Sequence, residues 1–198
     1  MKEQLQKDFD NTIRNLTLSQ KDIEIKKFYL DNFINRGFPN RKEEDWKFSD
    51  LNQIIKKNIG ELSFYSDYTS TNKVDTSVFV DGLEHNKIVF INGRIEKIDF
   101  DYEKKNQIEI IDQSETINKF NNSSLSDLNS AFTNKSFKIV VKEGYQLTKP
   151  LIIYHTTNSK IWSKNINLRL NFELYENSSL RLIDLFNDTS EKNFLNIF

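Results

Sequence analysis

The chain has 198 residues, 37% of them apolar, with 28 Lys plus Arg against 29 Asp plus Glu and a formal net charge of −1. That balance removes the electrostatic case for a dedicated nucleic-acid or anionic-membrane binder, which needs a basic excess or stripe. The absence of Cys excludes disulfides, thiolate zinc sites, an all-cysteine iron–sulfur ligand set and a cysteine nucleophile within these residues.

In chain order, the opening MKEQLQKDFD carries no apolar h-region, and no apolar run approaches the roughly 18 residues that span a bilayer. A soluble, cytoplasmic protein is expected. Leu5, Phe9, Ile13 and Leu16 give a weak amphipathic stretch over Leu5–Leu18. A stronger one follows over Ile23–Arg36, with Ile25, Phe28, Tyr29, Phe33 and Ile34 forming the inward stripe. Ser19 or Asp22 can cap its start, and Gly37 with Pro39 supplies the stop. GFPNRKEEDWKFSDLNQIIKKN reads as a turn and a charged turn-or-helix, in which Arg41 pairs with Glu44 and Trp46 anchors the segment to the core. Ser63–Thr76 has no period and reads as a loop or linker.

From Lys87 the period changes to that of strands. KIVFINGRIEKIDF sets Asn92-Gly93 between two β-prone runs, a hairpin signal. Ile108–Ile111 reads as another strand, and Ser124 or Ser126 opens a short helix through Leu125, Leu128 and Phe132. FKIVV, PLIIYHTT, NINLRLNFELYE and SLRLIDLF then follow with short connections. Leu168, Leu170, Phe172 and Leu174 alternate with Asn167, Arg169, Asn171 and Glu173, the pattern of a half-buried strand. The switch to Ile183 and Leu185 after Leu180 and Leu182 predicts a bulge or corner. No helix separates these strands, which argues against βαβ units and leaves a sandwich or a solenoid. The final NFLNIF predicts an apolar edge that further chain or a partner covers.

Catalytic constellations are not evident. His85 and His155 have no metal-ligand spacing, and they read as a solvent-exposed loop residue and a strand-end residue bonded to backbone. Glu43, Glu44 and Asp45 read as a solvated charge run. The five glycines never cluster into a phosphate cradle, and no G-x-S-x-G is present.

The order Gly37-Phe38-Pro39-Asn40-Arg41-Lys42-Glu43-Glu44-Asp45-Trp46-Lys47-Phe48-Ser49 resembles a signature of the SufD family of iron–sulfur cluster assembly proteins. The hairpin KIVFINGRIEKI and the stretch LSDLNSAFTNKSFKIVVKEGYQLTKPLIIYH are similar to that family's hairpin and to its helix leading into a β-helix. The resemblance implies the N-terminal portion of such a protein, a mixed α and β chain in three parts with an apparently truncated β-helix. These are an N-terminal helical region (1–62), a linker and β-hairpin region (63–123), and a short helix with the first turns of a right-handed parallel β-helix (124–198). It implies a non-catalytic scaffold that binds no cofactor or metal of its own and partners SufB-like and SufC-like subunits. It assigns Gly37, Pro39, Arg41, Glu44, Trp46 and Lys47 to structure or partner contact. The rival readings are a stand-alone β-solenoid binding module, for instance for a glycan on aromatics such as Trp162 and Tyr175, and a β-helix polysaccharide-cleaving enzyme.

Overall fold

The computed structural model describes residues 2–64, 73–113, 123–157, 163–188 and 193–197. Most of the Ser63–Thr76 loop, Trp162 and Phe198 lie outside the described residues. The fold is mixed α and β, with N-terminal helices packed beside two mixed sheets. No helix among the described residues is long and apolar enough to cross a membrane.

Helix α1 (Lys2–Arg14) buries Leu5, Phe9 and Thr12, one stripe at helical spacing. Helix α2 (Gln20–Arg36) begins on a capping box. The Ser19 hydroxyl accepts the Asp22 N–H at 3.2 Å, and the Asp22 carboxylate accepts the Ser19 N–H at 3.3 Å. It ends where Gly37, at φ 74°, donates its N–H to Phe33 O at 2.7 Å. Its buried stripe is Lys26, Tyr29, Leu30 and Phe33, whereas Phe28 is 59% exposed. The expected stripe is therefore rotated: the buried spacing i, i+3, i+4, i+7 starts at a lysine, which hydropathy alone does not place inside. Helices α3 (Leu51–Asn58) and α4 (Ser124–Phe132) start on the caps Asp50 and Ser123, whose side chains accept from Gln53 N and Ser126 N. Every residue of α4 except Leu125 is buried.

The strands are β1 (Ser63–Phe64), β2 (Asn86–Ile91), β3 (Arg94–Asp99), β4 (Ile108–Asp112), β5 (Ser136–Val141), β6 (Leu151–Thr157), β7 (Lys164–Leu174), β8 (Leu182–Asp188) and β9 (Asn193–Ile197). One sheet runs β3-β2-β6-β8; the other runs β1-β7-β5-β4, with β9 also on β7. From β5 onward, successive strands alternate between the two sheets; β7, β8 and β9 each pair in parallel with the strand two before them, and β6 pairs in parallel with β2. The hairpin turn has Asn92 at φ 52° and Gly93 at φ 79°, the left-handed pair that a two-residue loop requires. Asn92 N–H also reaches Thr156 O at 3.0 Å, which ties the turn to β6. The antiparallel strands β3 and β4 cover one end of the sheets. Both carry charges, including the Lys97–Asp99 pair at 3.7 Å and Lys142–Glu109 at 2.8 Å, which discourages edge pairing.

Ile88, Phe90, Ile139, Val141, Leu151, Ile153 and Leu168 fill the space between the sheets. Phe9, Leu30, Phe33, Phe64, Leu128 and Phe132 fill the space among the helices. Strand β7 departs from the half-buried expectation. Asn165, Asn167 and Arg169 are buried as fully as Ile166 and Leu168, because α4 covers their face, while Leu174 is 45% exposed. The pairing of β6 with β8 is unbroken from Leu151↔Leu182 to Thr157↔Asp188, so no bulge accounts for the parity switch. Instead, Leu180 packs between the sheets and Leu185 packs on the outer cluster around Tyr154. In the C-terminal segment Phe194 packs on the helical core and Ile197 between the sheets, while among the described residues β9 pairs with β7 alone.

A carboxylate clips the corner between the sheets. Glu103 accepts from Tyr145 Oη (2.7 Å), Asn86 Nδ2 (2.7 Å), and the Thr148 and Lys149 N–H groups (3.1 Å each). Burial alone raises its pKa, but these donors outweigh it and hold the carboxyl down at about 2. A lowered carboxyl pKa stabilises the fold above the unfolded value and ceases to do so as pH falls toward 2. Glu103→Gln is expected to cost about 1–2 kcal/mol at pH 7 after allowance for solvent screening, with the difference shrinking below pH 4 in urea titrations.

Candidate functional site

The segment from Gly37 to Leu51 divides by direction. Gly37 O accepts the Ser124 hydroxyl at 2.6 Å, and Pro39 O accepts the Leu51 N–H at 3.1 Å, so the Gly-Phe-Pro stretch binds α2, α3 and α4 together. Phe38 is buried, with its ring edge-on to Phe33 at 5.1 Å and to Phe194 at 6.2 Å. Asn40 closes the turn, its side chain accepting the Lys42 N–H at 3.0 Å, and a 3₁₀ turn follows over Glu44–Trp46.

Trp46 is partly buried against the helical core. Arg41, Lys42, Glu43, Glu44, Asp45 and Lys47 all face solvent. Glu44 pairs with Lys47 at 2.6 Å rather than with Arg41, because the 3₁₀ turn begins at Glu44 and brings Lys47 into line with it, whereas Arg41 precedes the extended Glu43. Phe48 is 87% exposed, with the Lys47 ammonium 5.4 Å from its ring centre. Of the residues singled out by sequence, Gly37, Pro39 and Trp46 therefore hold structure, while Arg41, Glu44 and Lys47 form a charged display around an uncovered aromatic.

This placement sets a smaller effect for Trp46→Ala than the about 3–5 kcal/mol of a fully buried aromatic. About 1–3 kcal/mol is expected by chemical denaturation, whereas Phe48→Ala is expected to change stability by less than about 0.5 kcal/mol. A concavity of about 410 Å³ opens beside the segment, walled by Leu5, Phe38, Ile55 and Phe64 and rimmed by Asn52, Lys56 and Glu61. Its size is that of a small-ligand site, but its walls bring no acid–base pair together.

Both histidines are buried, at 2% and 3% exposure, contrary to the exposed reading of His85. His85 Nδ1 lies 2.5 Å from Leu83 O and Nε2 lies 2.7 Å from Tyr154 Oη. His155 Nε2 lies 3.0 Å from Asp184 Oδ1, a carboxylate and not the expected backbone partner. Its ring is stacked between Phe90 (5.4 Å) and Phe186 (4.9 Å), its register partners on either side. Among the described residues, no three His, Cys, Asp or Glu side chains gather as a metal site.

A buried polar seam joins α4 to β7 and β9, and sequence reading missed it. Asn129 donates to Leu168 O (3.0 Å) and Asn196 O (2.8 Å), and Thr133 Oγ1 donates to Asn129 Oδ1 (2.8 Å). Asn196 donates to Leu125 O (3.1 Å) and Asn167 Oδ1 (2.9 Å), and Asn167 in turn donates to Asn165 Oδ1. Beside it, the Lys26 ammonium donates to Thr133 O at 2.6 Å and Ser130 O at 3.4 Å, satisfying carbonyls at the end of α4. Arg169 donates to Ser130 Oγ at 2.9 Å, and Arg36 pairs with Asp127 at 3.4 Å. The helical position of Lys26 on the inward stripe was the available signal. Such an arrangement fixes one docking geometry for α4. No protein-family model matches the chain, and no curated protein matches it.

Proposed function

We propose that the chain is a non-catalytic scaffold subunit of iron–sulfur cluster assembly, SufD-like, whose strands are the first turns of a right-handed parallel β-helix. The observation that carries this reading is the pairing rule: β5, β7 and β9 stack in parallel in one sheet, β2, β6 and β8 in the other, as the chain alternates between them. Alternation of this kind lets each turn rest on the one before, which is how a β-helix grows. The signature segment, the hairpin and α4 precede it in the order the resemblance implies.

On this reading, SufB-like and SufC-like subunits are the partners, and no cofactor is resident on this chain. Its histidines support that, since each ring is engaged by its own fold and sealed from solvent. The edge of β8 that is unpaired among the described residues, with Leu182, Ile183 and Phe186 exposed, is where the next turn or a partner strand would stack. Two results are expected. Anaerobic reconstitution followed by desalting leaves the isolated chain without stoichiometric iron. Deletion of its gene under iron limitation lowers the activity of iron–sulfur enzymes, and restoring the gene recovers it. Unchanged activities in the deletion strain would overturn the reading.

A further inference from the structure

We propose that residues 73–85 form an acid-released strap, clamped through His85 over the outer apolar face of β2 and β6. Three hydrogen bonds in series make the clamp. A carbonyl only accepts, so the contact of His85 Nδ1 with Leu83 O puts the imidazole proton on Nδ1. Nε2 is then an acceptor, and Tyr154 must donate its hydroxyl proton to it across 2.7 Å. The same Tyr154 oxygen accepts the Val80 N–H at 3.0 Å, which closes the strap onto β6. Burial pushes the Tyr154 phenol pKa up against the opposing pull of the Val80 N–H, so the hydroxyl proton is retained.

Every donor and acceptor in this series is used once when His85 is neutral. A proton on Nε2 removes the acceptor of the Tyr154 hydroxyl, which must turn its hydrogen away and accept from both Nε2 and Val80, and places a cation in a site 2% exposed. The surrounding charges do not offset that cation. Lys87 Nζ lies 3.4 Å from His85 O, and Lys87 and Lys97 lie over the Phe79 ring, which packs on Tyr154 at 4.9 Å. The nearby acids are engaged elsewhere: Asp99 pairs with Lys87 and Lys97, Glu84 with Lys149, and exposed Asp81 accepts from Gly82 N–H. Protonation of His85 therefore favours the released strap. Beneath it lie Val89, Ile91, Ile152 and Tyr154, at present covered in part by Val74 and Phe79.

The test is long-range ¹H–¹⁵N spectroscopy of His85 together with amide exchange at Val80, corrected for intrinsic rate, from pH 7.5 to pH 5. The Nδ1–H tautomer is expected at pH 7.5, with Val80 opening at least tenfold more often once His85 titrates and with a parallel rise in apolar dye binding. Tyr154→Phe should leave Val80 open at both pH values. His85→Gln, which removes the titrating group, should abolish the acid step. An Nε2–H tautomer, Val80 protection unchanged through the His85 titration, or the same acid step in His85→Gln would each overturn the proposal.

Discussion

Asn129→Ala is expected to lower stability by roughly 3 kcal/mol, because the substitution orphans two buried carbonyls on different strands. The Asn129 amide is wholly buried and bonds Leu168 O on β7 and Asn196 O on β9, while its oxygen accepts from Thr133 Oγ1. Asn129 is fully buried, so its removal takes a hydrogen-bond partner from both desolvated acceptors. The loss should also be local. Among the described residues, strand β9 pairs with β7 alone, and it is tied to α4 through Asn129, Asn196 and Phe194. Amide exchange in β9 should therefore accelerate before that in β6 or β7. A loss below about 1 kcal/mol by urea denaturation would mean that the seam tolerates substitution and does not fix the docking of α4.

The second large effect depends on pH. Burial, and secondarily the nearby Arg169 cation, lower the Lys26 pKa to about 8 against a weaker opposing pull from Asp22. The unfolded chain then binds more protons than the folded one between pH 8 and the ordinary lysine value, so stability rises with pH through that window. The full gain is roughly 3 kcal/mol. Lys26→Met removes it. Near pH 7 the variant trades a costly buried charge for two unsatisfied carbonyls, Ser130 O and Thr133 O, and its net change should stay within about 1 kcal/mol. Near pH 10 the native lysine is neutral and still donates, so Lys26→Met should be less stable than the parent by roughly 2 kcal/mol. Paired urea titrations at the two pH values measure this. A constant difference would show that Lys26 keeps an ordinary pKa.

What was legible in the sequence was set by neighbours in sequence. The capping box at Ser19, the stop at Gly37 and the Asn92-Gly93 turn each follow from backbone chemistry within a few residues. The alternation in β7 likewise placed Leu168 between the sheets. Its polar face was misjudged because α4, some 40 residues earlier, closes over Asn165, Asn167 and Arg169, and strand periodicity holds no information about that cover. Phe28 and Lys26 exchanged their expected places for a related reason. The apolar pair Phe28-Tyr29 is compatible with two stripes, and the choice depends on carbonyls of α4 that reward a buried ammonium. His85 looked like a polar-loop residue until Tyr154, on a distant strand, supplied its partner. In the Gly37–Leu51 segment, the order of residues was visible but its division into an inward side of buried Phe38 and half-buried Trp46 and an exposed side of Arg41, Glu44 and Lys47 was not.

The proposed role of this chain is that of a scaffold that holds partners. Its most direct test is co-expression with the SufB-like and SufC-like proteins of the same genome, affinity capture on a tag on this chain, and size-exclusion chromatography with light scattering. A scaffold of this kind is expected to give one stoichiometric complex containing all three polypeptides, weakened when β8 is altered at the exposed residues Leu182 and Phe186. Elution of this chain free of both partners, under conditions where the two partners bind each other, would contradict it.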